Sequence, residues 1–256
     1  MMVHEAAASG FDRAAIAYER GRPSYPQPAI DWLVERAGVT ATSVVVDLAA
    51  GTGKLTRLLV ASGAKVIAVE PVDGMRRLLV DLVPGAEVLD GTAEDIPLLS
   101  GSVDLVTVAQ AFHWFDVPAA LAEIHRVLCP GGQLALVWNR RLLDEPIHRS
   151  VSAIVDPFRG STPSYHKEEG WRQPLRGSPL FETGDNRSFL NVQALDEDGF
   201  ADRVLSTSFI AALPERKRHD VERRVRDLAQ QLGGHVDLPY STDVQLFRRV
   251  ESDMAG

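Results

Sequence analysis

The chain is poor in the residues that would staple it, anchor it or give it a basic face. One cysteine stands among 256 residues, which excludes an intramolecular disulfide and a multi-cysteine metal site. No apolar run approaches the roughly 20 residues that span a bilayer. Met1-Met2-Val3-His4-Glu5 offers neither a basic n-region nor an apolar h-region, so no signal peptide and a cytoplasmic location are expected. Cations are outnumbered, 27 Lys and Arg against 35 Asp and Glu, for a net charge of −8. That balance argues against a nucleic-acid partner, which needs a phosphate-neutralising face. The histidines are scattered with no ligand spacing such as H-E-x-x-H, so no metal is expected. What remains is ordinary globular composition, 45% hydrophobic and 24% charged, which excludes a disordered chain or a membrane bundle.

The first half alternates two textures. Val44 to Leu48, Lys65 to Glu70, Ala86 to Leu89, Val103 to Val108 and Gln133 to Trp138 are short runs rich in β-branched residues. Such runs, apolar on both faces, suit strands buried between helices. Between them, Lys54–Ala61, Gly74–Leu82 and Val117–Leu128 place leucines at helical spacing, the last with Asp116 as N-cap and Gly131-Gly132 beyond its end. This alternation predicts βαβ units and an α/β fold with a parallel sheet. Leu142 to Gly184 is rich in Pro, Gly and Ser and reads as an insertion with short helices. Beyond it, Asn186–Val192 and Val244–Arg248 read as strands, and Asp196–Leu205 and Glu215–Leu232 as helices. The second helix interleaves Arg216, Arg218, Arg223 and Arg224 with acids, the pattern of a solvated amphipathic face. Cys129 reads as a packed residue before a turn.

The most informative stretch is Asp47-Leu48-Ala49-Ala50-Gly51-Thr52-Gly53-Lys54-Leu55-Thr56, where a strand ends, two glycines follow and a helix begins. Glycines permit a tight turn and close approach of a ligand, and a helix start supplies unpaired N–H groups. A P-loop is excluded, because Leu55 follows Gly53-Lys54 and Leu48 holds the first glycine position. A dinucleotide fingerprint fits poorly, because its third glycine falls on Thr56. An acid-x-G-x-G-x-G loop for S-adenosylmethionine (SAM) fits with Ala49 in place of its first glycine, and an ordinary strand–helix turn stays open. Glu70, about 20 residues on at the end of the second strand, stands where a carboxylate accepts both hydroxyls of an adenosyl ribose.

Over most of residues 9–140 the chain resembles the class I SAM-dependent methyltransferases, in particular the type-11 small-molecule group. The matching segments are Phe11-Asp12 with Tyr18 and Arg22-Pro23-Ser24-Tyr25-Pro26, the glycine loop with Glu70, and Gly91-Thr92-Ala93-Glu94-Asp95-Ile96-Pro97. To these add Val103 to Val106 with Gln110 to Phe115, and Leu128-Cys129-Pro130-Gly131-Gly132. Ala111 to Asp116 and Leu238-Pro239-Tyr240 resemble trans-aconitate-methyltransferase-related proteins. The resemblance implies a Rossmann-like, seven-stranded, mostly parallel sheet with a final antiparallel hairpin and helices on both faces. It implies one SAM-binding domain over residues 1–256, with residues 1–40 and 142–184 as a cap.

Residue by residue, the same resemblance gives Ala49, Gly51 and Gly53 to the methionine part of SAM and Asp47 to ordering the loop. Glu70 takes the ribose; Pro71, Met75, Thr92, Ala93 and Glu94 surround the adenine, with Thr92 standing where an Asp is usual. Gln110 lies beside the methionine moiety, and Tyr18 and Arg22 close over the cofactor. His113, after the fourth strand, is the candidate base for an acceptor that must lose a proton, with a structural histidine in a packed Phe112-His113-Trp114-Phe115 turn as the alternative. Trp114, Trp138, Arg140 and Arg141 are candidates for the acceptor pocket, the arginines suiting a carboxylate. The expectation is a methyltransferase for a small-molecule acceptor; a SAM-binding module without turnover and a Rossmann oxidoreductase remain as alternatives.

Overall fold

The computed structural model describes residues 19–160, 175 and 177–251; Tyr18 and the Phe11-Asp12 segment lie outside them. The β-branched runs fold as strands: β1 (Val44–Leu48), β2 (Lys65–Val69), β3 (Glu87–Leu89), β4 (Val103–Ala109) and β5 (Leu128–Arg141). β6 (Phe181–Asp196) and β7 (His235–Arg249) complete one seven-stranded sheet in the order β3-β2-β1-β4-β5-β7-β6. The first five strands pair in parallel. β7 runs antiparallel between β5 and β6. This is the mostly parallel sheet with a closing antiparallel pair that the sequence predicts.

Eight α-helices appear among the described residues: α1 (Gln27–Arg36), α2 (Thr56–Val60), α3 (Asp73–Leu82), α4 (Val117–Val127), α5 (Pro146–Val155), α6 (Glu197–Leu205), α7 (Ser208–Ala211) and α8 (Glu215–Gln231). Successive strand side chains point to opposite faces, so each central strand feeds two cores. Val46, Leu48, Ile67, Val69, Val106 and Val108 pack with Leu121, Ile124 and Val127 of α4. Val45, Val66, Leu105, Ala135 and Val137 pack with Ile30 and Leu33 of α1 and Leu59 of α2. Both faces are thereby covered, as a parallel sheet requires.

A third cluster joins α5, α6 and α8 to the near end of β7 through Val151, Ile154, Phe200, Val204, Val221, Val225, Leu238 and Tyr240. The sequence pointed to residues 142–184 for inserted structure, yet Phe181 to Gly184 already belong to β6, and α6 to α8 share the small core with α5. β6 is longer than the expected Asn186–Val192 because its outer part alternates exposed and half-buried residues, which leaves no continuous apolar run. The expected Lys54–Ala61 helix is also shorter. Residues 51–55 are turns, with Gly51 at φ 61° and Gly53 at φ 83°, so α2 begins only at Thr56.

Among described residues only Ala49 (φ 55°) and Gln110 (φ 60°) place a side chain in the left-handed region. That conformation costs an L-residue roughly 1–2 kcal/mol, which glycine avoids. Ala49→Gly is expected to raise stability by about 0.5–1 kcal/mol, the relief being partly offset by greater freedom of the unfolded chain. The midpoint should rise by roughly 1–4 °C on thermal unfolding; a lower midpoint contradicts strain at Ala49.

Candidate active site

The carboxyl ends of β1, β2 and β4 converge on a cleft of about 260 Å³. This is where open α/β sheets bind ligands. Its floor is set by a buried carboxylate beneath the glycine loop. Asp47 shares the α2-facing side of β1 with Val45, and it is closed off from solvent. Thr56 Oγ1 donates to its Oδ2 at 2.6 Å and Thr107 Oγ1 to its Oδ1 at 3.0 Å. β1, β4 and the start of α2 are stitched together in this way. Burial pushes the Asp47 carboxyl up to about 6 against the pull of those hydroxyls. Asp47, expected to order the loop, takes its hydrogen bonds from Thr56 and Thr107, which were not singled out from the sequence.

Glu70 forms the adjoining wall. Its Oε2 accepts the Gly51 N–H at 2.8 Å and its Oε1 the Val72 N–H at 2.9 Å. The side chain thus ties the glycine loop to the end of β2 and still lines the cleft. Burial raises its carboxyl to about 7, opposed by the two backbone donors and by Arg76. A second tie comes from Glu19, another residue the sequence reading missed. Its carboxylate receives Arg57 Nη2 at 2.9 Å and the Thr52 hydroxyl, and pairs with Lys54 Nζ at 3.4 Å.

Along the wall beside Glu70 stand Pro71, Val72, Met75, Thr92, Ala93 and Glu94. Thr92 Oγ1 is buried and has no hydrogen-bond partner. Glu94 is held by the Asp116 N–H at 2.9 Å. Gln110 adopts its left-handed backbone at the end of β4 and donates from Nε2 to the Asn139 carbonyl at 3.2 Å.

The middle of the cleft is aromatic. His113 packs with ring centroids 4.6 Å from Trp114 and 5.2 Å from Trp138. Burial and the nearby Arg22 guanidinium push its imidazole down to about 3. Arg22 donates to the Ser206 carbonyl at 2.9 Å. At the far end lie Arg141, Arg159, Arg203, Thr207, Ser208, Phe209 and Tyr240. Arg203 is buried and donates to the Tyr240 hydroxyl at 2.9 Å. Arg141 faces Tyr240 across the β5–β7 ladder. Burial, then the repulsion of Arg203, Arg22 and Arg159, lower the Arg141 guanidinium to about 10.

Of the residues expected in the site, Arg22, Ala49, Gly51, Glu70, Pro71, Met75, Thr92, Ala93, Glu94, Gln110, His113, Trp114, Trp138 and Arg141 line this one cleft. Asp47 and Gly53 lie beneath it. Arg140 does not reach it, because its side chain alternates away from Arg141 on β5 and its Nε donates to Asp243 at 3.0 Å. Arg159, Arg203 and the α6–α7 residues were missed; they sit in segments whose sequence shows only an insertion and ordinary helices. No cluster of His, Cys, Asp and Glu suited to a metal occurs among the described residues. No helix among them is long and apolar enough to cross a membrane.

A methyltransferase-domain model matches residues 46–136. An uncharacterized methyltransferase of Mycobacterium tuberculosis is 54% identical over 193 residues, covering 70% of this chain and 76% of its own. An uncharacterized methyltransferase-like protein of Schizosaccharomyces pombe is 36% identical over 218 residues, 84% of each chain. Among solved structures, geranyl diphosphate methyltransferase in complex with SAM superposes with a TM-score of 0.50 at 15% identity, over 88% of this chain and 85% of that one. The cyclase SpnF superposes with a TM-score of 0.55 at 16% identity, over 91% and 85%. The chain belongs to the class I SAM-dependent methyltransferases. That a cyclase shares the fold leaves the details of activity to the site itself.

Thr56→Val removes one donor from buried Asp47 and is expected to cost about 1–3 kcal/mol. The loss should be larger at pH 8 than at pH 5. Above about 6 the native carboxyl is ionised and needs the donor, whereas below it is protonated. Urea unfolding at the two pH values reads this; equal losses contradict the arrangement.

Proposed function

We propose that this chain transfers the methyl group of SAM to a small-molecule acceptor that carries a carboxylate or related anionic group. The observation that carries the reading is Glu70, a carboxylate in the cleft wall that accepts the Gly51 N–H of the loop on one oxygen and the Val72 N–H beyond β2 on the other, one lone pair each. The remaining lone pairs suit the two hydroxyls of a ribose. The orphaned Thr92 hydroxyl supports an adenine edge beside it. Bound SAM supplies an activated sulfonium methyl, whose carbon–sulfur bond breaks with the electron pair going to sulfur as the acceptor bonds the carbon.

The chain's own work is positioning and exclusion of water. Ala49 and Gly51 keep the loop backbone open to the methionine moiety, and Gln110 closes its other side. Pro71, Met75, Ala93 and Glu94 flank the adenine. Arg22 and the helices α5 to α8 act as a cap on the acceptor side. Trp114, Trp138 and Arg141 form the acceptor pocket, with Arg140 excluded from it. His113 serves as a neutral wall, because an imidazole held at about 3 is a weak proton acceptor near pH 7. A carboxylate acceptor needs no base at all. The net charge of −8 suits a small acceptor better than nucleic acid.

Calorimetry with SAM tests the cofactor side. Glu70→Ala and Gly51→Val are expected to weaken binding at least tenfold; unchanged binding overturns the assignment. Binding should favour ionised Glu70, so Kd rises about tenfold per unit as pH falls below about 7, with a proton released on binding there. Glu70→Gln should flatten that dependence. On the acceptor side, at SAM concentrations that saturate both proteins at every pH, wild type is expected to show no His113 limb near 6.5 in kcat, and His113→Ala to keep kcat within roughly tenfold with the same profile. A larger loss accompanied by disappearance of such a limb restores His113 as the base.

A further inference from the structure

The far end of the cleft holds more cations than the reading above uses, which engages Arg141 alone. Arg141, Arg159 and Arg203 line it together. Arg203 spends its Nε on the Tyr240 hydroxyl, a neutral partner, and its guanidinium carbon lies 5.8 Å from that ring's centre. Arg159 pairs with Asp156 at 2.6 Å, and its guanidinium also stacks over Phe209 at 4.9 Å. Arg141 is different: its Nε is buried without a hydrogen-bond partner. Among the described residues the carboxylates that line the cleft are Glu70 and Glu94, and both lie on the wall at the ends of β1 and β2, away from the arginines. Arg159 has its counter-charge in Asp156, but burying the Arg141 and Arg203 guanidinium groups near one another with no carboxylate against them among the described residues is costly. Such a group is retained at low cost only if an anion completes it when the protein works.

The position of the cluster restricts what that anion does. An oxygen clamped by guanidinium groups has its lone pairs engaged and its nucleophilicity lowered. The methyl donor is itself a cation, which the arginines repel. Between the two ends stand His113, Trp114 and Trp138, a wall with no fixed charge in its neutral state. Resting on the methyltransferase reading, we infer that the acceptor is bifunctional. Its anionic tail, a carboxylate, phosphate or sulfate, seats on Arg141 and Arg203 with Arg159 beside them. A separate nucleophile with a free lone pair and no proton to lose, held against the aromatic wall, bonds the methyl carbon as the carbon–sulfur bond breaks toward sulfur, and the tail stays unmethylated. Arg141 and Arg203 are therefore specificity-determining residues. Tyr240 positions them, hydrogen-bonded to one and opposite the other on the neighbouring strand.

The test titrates the full chain with succinate, inorganic phosphate and inorganic sulfate in the presence of S-adenosylhomocysteine, at ionic strength held constant with chloride. At least one anion is expected to bind, and which one binds distinguishes a carboxylate tail from a phosphate or sulfate. Arg141→Met and Arg203→Met should weaken it at least tenfold, and Arg141→Lys by a smaller factor, because it keeps the charge and loses the fork. Arg140→Gln removes the same charge outside the cleft and should change nothing. SAM binding measured on each variant serves as the folding control. If SAM binds and no anion binds more tightly to wild type than to Arg141→Met, the inference is overturned while the methyltransferase reading stands. If wild type fails to bind SAM, that reading fails first and this one with it. A second arm supplies methyl-labelled SAM and a cell extract. The labelled product should be retained on an anion exchanger; an unretained product overturns the inference.

Discussion

Everything in the cleft depends on how Glu70 is held. Its two oxygens take the N–H groups of Gly51 and Val72, so one side chain fixes both the loop after β1 and the chain after β2. The carboxylate is buried and would be far less stable there without these donors. The same burial that makes it expensive makes it useful. An acid held at about 7 responds sharply to new hydrogen bonds from a ligand. Asp47 repeats the device one layer below, with hydroxyl groups in place of amides. Two neighbouring strands therefore end in buried acids. Mutual repulsion adds to the rise at Glu70, although desolvation dominates.

The cleft is electrically asymmetric along its length. Glu70 and Glu94 occupy one end, the aromatic wall the middle, and the arginines of β5 and α6 the other. A cationic ligand group and an anionic one would be drawn to opposite ends of such a cleft, so charge alone favours one orientation. The chain's overall negative charge conceals this, because the basic end is a local feature inside a pocket. His113 illustrates the same point on a smaller scale. Its place after the fourth strand suggests a base, but the aromatic packing and the Arg22 charge keep it neutral.

Much of the Glu70 end of the cleft was legible in the sequence because its determinants are local. Strand, glycine loop and acid follow one another within a single βαβ unit, and the backbone geometry demanded there restricts residue choice. The strand ends, the helix cap at Asp116 and the order of elements could be read for the same reason. The arginine end was legible only in fragments. Arg203 and Phe209 reach the cleft through packing of α5, α6 and α8 against the near end of β7, and no local pattern marks such tertiary contacts. Arg140 and Arg141 were indistinguishable in sequence. Only the extension of β5 through Arg141 turns one toward Asp243 and the other into the cleft. Glu19 was invisible for a similar reason, since its partners Thr52, Lys54 and Arg57 lie more than thirty residues away.

The most direct measurement is a carbon-detected NMR titration of the Glu70 side-chain carboxyl, free and with SAM bound. The account predicts a midpoint near 7 in the free protein and a clear fall once SAM is bound. A free-protein midpoint at the ordinary glutamate value, or one that SAM leaves unmoved, would contradict it.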